Sequence, residues 1–255
     1  MTDFSDDDFV DVNVSEDSGK RYLHLGGTSW VQGSMNMRKP FDLDLEYVQR
    51  MMAWMLWWDE EAQPIPHVVQ LGLGAASLTK FCHHRLKAVV TAVEINPQVI
   101  HVCRHLFKLP PNDEMLQVVQ ANAADWVADD QHHGVAEALQ VDLYDQDAAG
   151  PVLDSVEFYA NCAKVLTSDG TLVVNLFGRH ASYEASMRHL SEVFAHGGVW
   201  SFAPTREGNT VVMARHSPMA PSADTLQLKA RKLQARWGWP VERWLHRIQP
   251  WSSAS

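Results

Sequence analysis

Val68-Val69-Gln70-Leu71-Gly72-Leu73-Gly74-Ala75-Ala76-Ser77 is the stretch on which the fold turns. A short apolar strand, His67 to Leu71, runs into a Gly-x-Gly turn, and a helix is expected from Ser77 to Arg85. Glycines there let the backbone turn sharply and approach a ligand closely, at the carboxyl end of a strand where open α/β sheets bind ligands. A second, β-branched strand is expected from Ala88 to Val93 and ends on Glu94, about 20 residues on, where an acid takes ribose hydroxyls. Taken singly, these are two turn glycines and a surface glutamate. In register after two consecutive strands they point to a nucleoside site built on Gly72, Gly74 and Glu94.

The rest of the chain extends the alternation. Pro97–Phe107 reads as a helix with Asn96 as N-cap and proline at its first position. Strands follow at Leu116–Gln120, Ala138–Leu143, Thr171–Leu176, Val199–Phe202 and Thr210–Arg215. Helices lie between them from Asp125 onward, at Ser155–Leu166 and at Tyr183–Phe194. Strands alternating with helices predict an α/β fold with a doubly wound, mostly parallel sheet over 63–216. Ahead of it, 1–17 read as an acidic, disordered leader. Residues 18–62 read as a small domain, with strands around a Gly26-Gly27 turn and an amphipathic helix from Leu43 to Trp58. A basic, Trp-rich helical tail, 217–255, carries a helix at Leu226–Trp237 and a second short one with Trp244 and Trp251; packing on the domain or on a dimer partner is its simplest role.

With 255 residues, a net charge of −10 and 46% hydrophobic residues, the chain can bury a substantial core. The acidic balance argues against nucleic-acid backbone binding and suits a cationic small substrate. No apolar run reaches the roughly 20 residues of a membrane helix, and the acidic start is unlike a signal peptide. Three scattered cysteines, Cys82, Cys103 and Cys162, suggest reduced thiols in a cytoplasm.

Ala75 or Ala76 stands where a dinucleotide fingerprint has its third glycine, and no basic residue is near to meet a pyrophosphate. A phosphate-free nucleoside such as adenosylmethionine fits better. After the third strand, Gln120-Ala121-Asn122-Ala123-Ala124-Asp125 offers Asn122 to the adenine amino group and Asp125 as a helix cap. His83-His84 and His132-His133 are adjacent pairs that point apart with no third ligand at a matching spacing, so no metal site is expected. Nor can a Ser-His-Asp or Cys-His set be placed on the same strand ends.

In order and spacing, four segments resemble the spermidine synthase family, that is, the polyamine aminopropyltransferases on the class I methyltransferase, Rossmann-like fold. They are Val68–Gly74, Thr91–Ile100, Val141-Asp142-Leu143-Tyr144-Asp145 and Leu166–Leu176. The resemblance runs from Arg21 to Arg215 and includes an N-terminal strand domain with Gln32. It implies decarboxylated S-adenosylmethionine as co-substrate, a small amine acceptor and a homodimer. It also implies Asp145 as the base that deprotonates the attacking amine, with Asp142 as its partner. A carboxylate suits that task, since an amine is protonated at pH 7 and must shed a proton to attack carbon. Asp147 and Asp154 add negative field. Tyr144 beside the base and Gln49 are the substrate-side candidates, and Gln32, Gly72, Gly74, Glu94 and Asn122 the nucleoside-side ones.

Three departures stand out. Ala75 replaces the family's loop aspartate, which grips the aminopropyl amine. Val48-Gln49-Arg50 stands for the family's Tyr-His-Glu, placing an arginine expected to repel a polyamine. Asn122 replaces the acid at adenine, and its amide oxygen still accepts that hydrogen bond. A methyltransferase using intact S-adenosylmethionine is therefore the alternative, and a catalytically silent binding protein the third reading.

Overall fold

In the computed structural model, the structure describes residues 9–27, 31–144, 152–177 and 181–251. Two sheets form. The smaller one is antiparallel, with β1 (Val12–Asp17), β2 (Lys20–Leu25) and β3 (Gly33–Asn36) in that order. The tight turn of its hairpin is Ser18-Gly19, both at positive φ (50° and 79°), as a two-residue turn between twisted strands requires. Gly26-Gly27, expected to be that turn, follows the end of β2. Val12–Asp17, read from composition as leader, pairs residue for residue with β2; alternating Val12 and Val14 supply the half-buried face that composition alone conceals.

The larger sheet has eight strands. They are β4 (His67–Leu71), β5 (Val89–Glu94), β6 (Leu116–Gln120), β7 (Ala136–Val141), β8 (Leu166–Phe177), β9 (Gly198–Phe202), β10 (Asn209–Arg215) and β11 (Ile248–Pro250), in the order β11-β9-β10-β8-β7-β4-β5-β6. From β6 to β8 neighbouring strands run parallel, while β10 is antiparallel to both β8 and β9. Strand order reverses beside β4, between β5 and β7, and crevices for ligands open at such a point.

Helices cover the faces. α1 (Glu46–Arg50) precedes the sheet. α2 (Ser77–Lys80) follows β4 and continues as a π-helical turn, Phe81–Leu86. α3 (Pro97–Leu106) opens on Asn96, whose side chain accepts from Gln98 N at 2.9 Å. α4 (Ala123–Ala128), α5 (Val156–Val165) and α6 (Ala181–Val193) follow, and Ser155 caps α5 through Phe158 N at 3.1 Å. None of the described helices is long and apolar enough to cross a membrane.

The helix expected over Leu43–Trp58 is divided, with α1 followed by a 3₁₀ turn at Ala53–Leu56. Met51 through Leu56 are all buried. An apolar run covered on every side has no solvent face, so packing, and not a 3.6-residue period, sets its path. A buried polar ladder ties this run to the sheet. Gln70 of β4 donates to Gln140 of β7 at 3.0 Å, Gln140 donates to the Met51 carbonyl at 2.9 Å, and Thr79 donates to Gln70 at 2.6 Å.

The tail packs back on its own chain. α7 (Ala223–Trp237) starts at the cap Ser222 and stops at Gly238; α8 (Val241–Leu245) follows, and β11 pairs with β9. Trp239 and Trp244 are buried in a run of rings, with Phe81–Trp239 at 5.0 Å, Trp239–Trp244 at 6.1 Å and Trp244–Phe202 at 6.1 Å between centroids. This burial is the tail's contribution to the core, worth roughly 1.5–3 kcal/mol for each large side chain removed from water.

Candidate active site

A cavity of about 1000 Å³ lies at the carboxyl ends of β4, β5, β6 and β7, closed on one side by the small sheet and α1. Its construction starts at Gly72, which has φ +90°; a Cβ there would sit 2.3 Å from the Asp142 carbonyl oxygen. Only glycine lets the end of β4 pass so close to the end of β7. The loop then meets the small sheet. A Cβ on Gly33 would lie 2.7 Å from that of Ala75, so the methyl of Ala75 is spent on the start of β3 and does not line the cavity. Ala75 is buried there, in the place where the resemblance led one to expect an aspartate.

Glu94 ends β5 on the cavity wall. Its carboxylate accepts from Leu73 N at 3.0 Å and from Asn96 N at 2.9 Å. Burial raises its pKa, and these backbone donors pull it back down. Gln32 and Gly74 also line the cavity. Asn122 lines it too, and caps α4 by accepting from Ala124 N at 2.8 Å. The cap was expected to be Asp125, but Asp125 lies one residue further along α4 than Ala124, exposed, past the first free N–H groups that a cap serves.

Asp142, at the end of β7, is half-buried at the centre of a hydrogen-bond network. It accepts from Asn175 Nδ2 at 2.9 Å and from the Tyr47 hydroxyl, and Asn175 in turn accepts from Asn209 Nδ2 at 3.1 Å. Burial pushes its carboxyl up to about 6, against the lowering effect of the Asn175 and Tyr47 bonds. Tyr144 lines the cavity and donates to the Asn175 carbonyl at 2.8 Å. Asp145 and Asp147 lie outside the described residues. Asp154 does not line the cavity; one of its oxygens lies 3.7 Å from His189 Nδ1.

Gln49 is not brought to this site. Its amide donates to the Leu43 carbonyl at 3.0 Å, and it lines a separate cavity of about 400 Å³. The reason is helical geometry: Tyr47, which reaches Asp142, and Gln49 are about 200° apart around α1 at 100° per residue. Arg50, expected to repel a cationic substrate, is fully buried and aims elsewhere. Its guanidinium donates to the Ala203 carbonyl at 2.6 Å and to Glu46, and lies over the Phe202 ring. Charge neutralised in this way presents no cation to the cavity.

The histidine pairs are used separately. His83 faces Asp113 at 3.2 Å, His84 stacks on Phe41, His132 stacks on Trp126 and His133 faces Asp130. Among the described residues, no group of three or more His, Cys, Asp or Glu side chains could hold a metal. Sequence reasoning assigned no role to Tyr47, Asn175, Asn209, Asp44, Glu46 or Glu207, all of which line the cavity. Asn175 alone left a signal, as a lone amide in the apolar strand Leu172-Val173-Val174-Asn175-Leu176.

No family model matches the chain. Over 241 residues it is 34% identical to a polyamine aminopropyltransferase of Chromobacterium violaceum, covering 94% of this chain and 89% of that one. The chain belongs to the polyamine aminopropyltransferase family. The fold of this aminopropyltransferase family member is also that of two solved structures. Human methyltransferase-like protein 13 in complex with SAH aligns with a TM-score of 0.65 at 21% identity, covering 83% of this chain and 97% of that one. Spermidine synthase from Thermotoga maritima aligns with a TM-score of 0.58 at 18% identity, covering 87% and 78%. Within the aminopropyltransferase frame, the loop glycines, Glu94 and Asp142 occupy the strand ends that the four sequence segments placed together.

Proposed function

We propose that the chain transfers an aminopropyl group from decarboxylated S-adenosylmethionine to a small amine. The observation that carries this reading is the charge of the cavity wall. Asp44, Glu46, Glu94, Asp142 and Glu207 line it; Asp44 pairs with Lys20 at 2.9 Å and Glu46 with Arg50, which leaves Glu94, Asp142 and Glu207 without an ion-pair partner among the described residues, and no lysine, arginine or histidine is among the described lining residues. A carboxylate-lined cleft concentrates cations. It suits a sulfonium and an ammonium, and offers no partner to the α-carboxylate of intact S-adenosylmethionine or to a nucleotide's phosphates.

In this reading Gly72 and Gly74 admit the nucleoside, Glu94 takes the ribose hydroxyls, Asn122 contacts the adenine edge and Gln32 covers the nucleoside from the small sheet. The chemistry supplied by the co-substrate is an electrophilic carbon next to a sulfonium. The acceptor nitrogen forms a bond to that carbon as the carbon–sulfur bond breaks, and the sulfur leaves as the neutral thioether of methylthioadenosine. One proton must leave the acceptor nitrogen, and Asp145 takes it as general base. Asp142, ionised above about pH 6 and held by Asn175 and Tyr47, orients the ammonium before transfer.

Calorimetric titration with decarboxylated and with intact S-adenosylmethionine tests the reading. Preference for the decarboxylated form, with methylthioadenosine released when an amine is added, is the expected result. Preference for the intact form would make the chain a methyltransferase on this frame. Binding of neither would overturn nucleoside recognition itself. Asp145→Asn is expected to abolish turnover while leaving nucleoside affinity within about twofold, since a base acts on the reacting proton and not on the nucleoside.

A further inference from the structure

Asp142, Asn175 and Asn209 form a cross-strand ladder on the cavity wall, at the ends of β7, β8 and β10. β7 and β8 run parallel with Val141 opposite Val174, so the residues that follow, Asp142 and Asn175, sit side by side. β8 and β10 run antiparallel with Phe177 opposite Asn209 and Asn175 opposite Val211. Asn175 and Asn209 are therefore diagonal neighbours on one face, within reach of each other's side chains. The bonds run in one direction along this ladder. Asn209 Nδ2 donates to Asn175 Oδ1 at 3.1 Å, and Asn175 Nδ2 donates to Asp142 Oδ1 at 2.9 Å.

The direction matters because an amide has two unlike ends. With its NH2 toward Asp142, Asn175 stabilises the carboxylate; turned over, its oxygen would repel a carboxylate and accept from the protonated acid. Asn175 and Asn209 are both buried, where a wrong choice of end is costly. The donor on Asn175 Oδ1 is what makes the choice, since it leaves the NH2 for Asp142. Asn209 is anchored in turn: its N–H donates to the Thr205 hydroxyl at 3.2 Å, and its carbonyl accepts from Thr205 N at 2.8 Å. From α1, Asp142 meets the titratable Tyr47 hydroxyl, with Tyr144 two residues along its own segment. Among the described lining residues β8 and β10 contribute only Asn175 and Asn209, and the carboxylates of Asp44, Glu46, Glu94 and Glu207 share the wall.

We infer that Asn209 is a positioning residue for Asp142: by donating to the Asn175 oxygen it fixes which end of the Asn175 amide meets the carboxylate, and so favours the ionised form of Asp142. The inference rests on the aminopropyl-transfer reading for what Asp142 does to the amine, while the amide relay itself belongs to the folded chain and is measurable without turnover. A donor two side chains away from a carboxylate thus acts on it through the polarity of the group between them.

The test reverses the donor. Asn209→Asp keeps the shape and sets an acceptor against Asn175, which should turn the Asn175 amide over and present its oxygen to Asp142. Asn209→Leu removes the donor without supplying an acceptor. Two readouts are taken. One is the pH titration of the Asp142 carboxyl by carboxyl-carbon NMR, assigned by its absence in Asp142→Asn. The other is the acid limb of the pH–rate profile for methylthioadenosine release from decarboxylated S-adenosylmethionine and an amine. Asn209→Asp is expected to raise both by about one pH unit, and Asn209→Leu by less. Affinity for methylthioadenosine should stay within about twofold, since the nucleoside end is untouched. The introduced carboxylate also acts on Asp142 through space, and Asn175→Ala separates the two effects. In that background the relay is gone, so adding Asn209→Asp should move the Asp142 titration by less than half as much.

An Asp142 titration that stays in place in Asn209→Asp would overturn the inference, even if turnover were lost, because that is the mark of a merely structural residue. Equal movement with and without the Asn175 side chain would overturn it too, since charge alone would then account for the effect. If Asn209→Asp does not fold, Asn209→Leu decides by the same sign, upward for the inference and unmoved against it. An Asp142 titration that moves as expected in a chain whose wild type releases no methylthioadenosine would keep the role of Asn209 and overturn the transferase reading.

Discussion

Gly72 and Asp142 meet backbone against backbone: a Cβ on the glycine would lie 2.3 Å from the aspartate's carbonyl oxygen, and the glycine's φ is +90°. The turn proposed to receive the nucleoside and the strand end that carries the acid are thus one unit. Gly72→Ala is expected to cost at least about 2 kcal/mol, combining a φ that alanine rarely adopts with a clash against backbone that cannot rotate away. Urea denaturation and methylthioadenosine titration check it, and nucleoside affinity and stability should fall together. A fully stable Gly72→Ala would show that β4 and β7 separate easily.

Asp142 trades stability for function. Its folded-state carboxyl is raised from 3.8 to about 6, so between those values the folded chain binds more protons than the unfolded one. Stability from this group therefore declines as pH rises through that window and stays reduced above it. Asp142→Asn keeps the geometry and removes the cost. The variant should be more stable than wild type at pH 8 by on the order of 1 kcal/mol, with the advantage vanishing near pH 4. Turnover should be lost. Thermal unfolding at the two pH values reads the sign directly.

Tyr47 supports the charged form of Asp142, and Tyr47→Phe removes a donor to a carboxylate, an interaction worth about 1.5–3 kcal/mol. Without it the Asp142 carboxyl rises further. The acid limb of the pH–rate profile should move to higher pH, and kcat at pH 7 should fall more than nucleoside affinity does. An unmoved acid limb would remove Asp142 from the titration that controls the rate.

The Gln70–Gln140 pair is a wholly buried hydrogen bond at 3.0 Å, and Gln140 also serves the Met51 carbonyl. Gln140→Leu leaves the Gln70 amide and that carbonyl without this partner, at an expected cost of about 2–4 kcal/mol from two buried groups. Chemical denaturation gives the number. A smaller loss in Gln70→Leu/Gln140→Leu than in Gln140→Leu alone would confirm that the orphaned amide, and not lost packing, sets the penalty.

Trp244 packs its ring on Phe202, next to the Ala203 held by Arg50. Trp244→Ala should cost about 3–5 kcal/mol, as large buried aromatics do. If the variant still folds, it should weaken amine binding more than nucleoside binding, because the β9–β10 turn loses its backing. Differential scanning calorimetry with the two titrations separates these effects.

Much of this molecule is local, and so was legible in order along the chain. Val68–Leu71 and Val89–Val93 read as parallel strands because each is a short, β-branched, mostly apolar run, interrupted only by Gln70 and by Thr91. Gly72, Gly74 and Glu94 read as a nucleoside site because a turn, a close approach and a strand-end acid are each set by a few neighbouring residues. Asn96 announced its helix because a cap bonds only two or three residues ahead.

Tertiary structure decided what depends on distant partners. That Tyr47, Asn175 and Asn209 converge on Asp142 follows from the order of β7, β8 and β10 and the seat of α1, which no local period encodes. Gln49 left the site and Glu46 entered it because one short helix turned a particular face to the cavity. Arg50 reads from the sequence as a charge in the wrong place; burial against Phe202 and Ala203, more than 150 residues away along the chain, makes it a bond between segments. A side chain's type is written at its own position, but the direction in which its charge acts is set by what the fold packs around it.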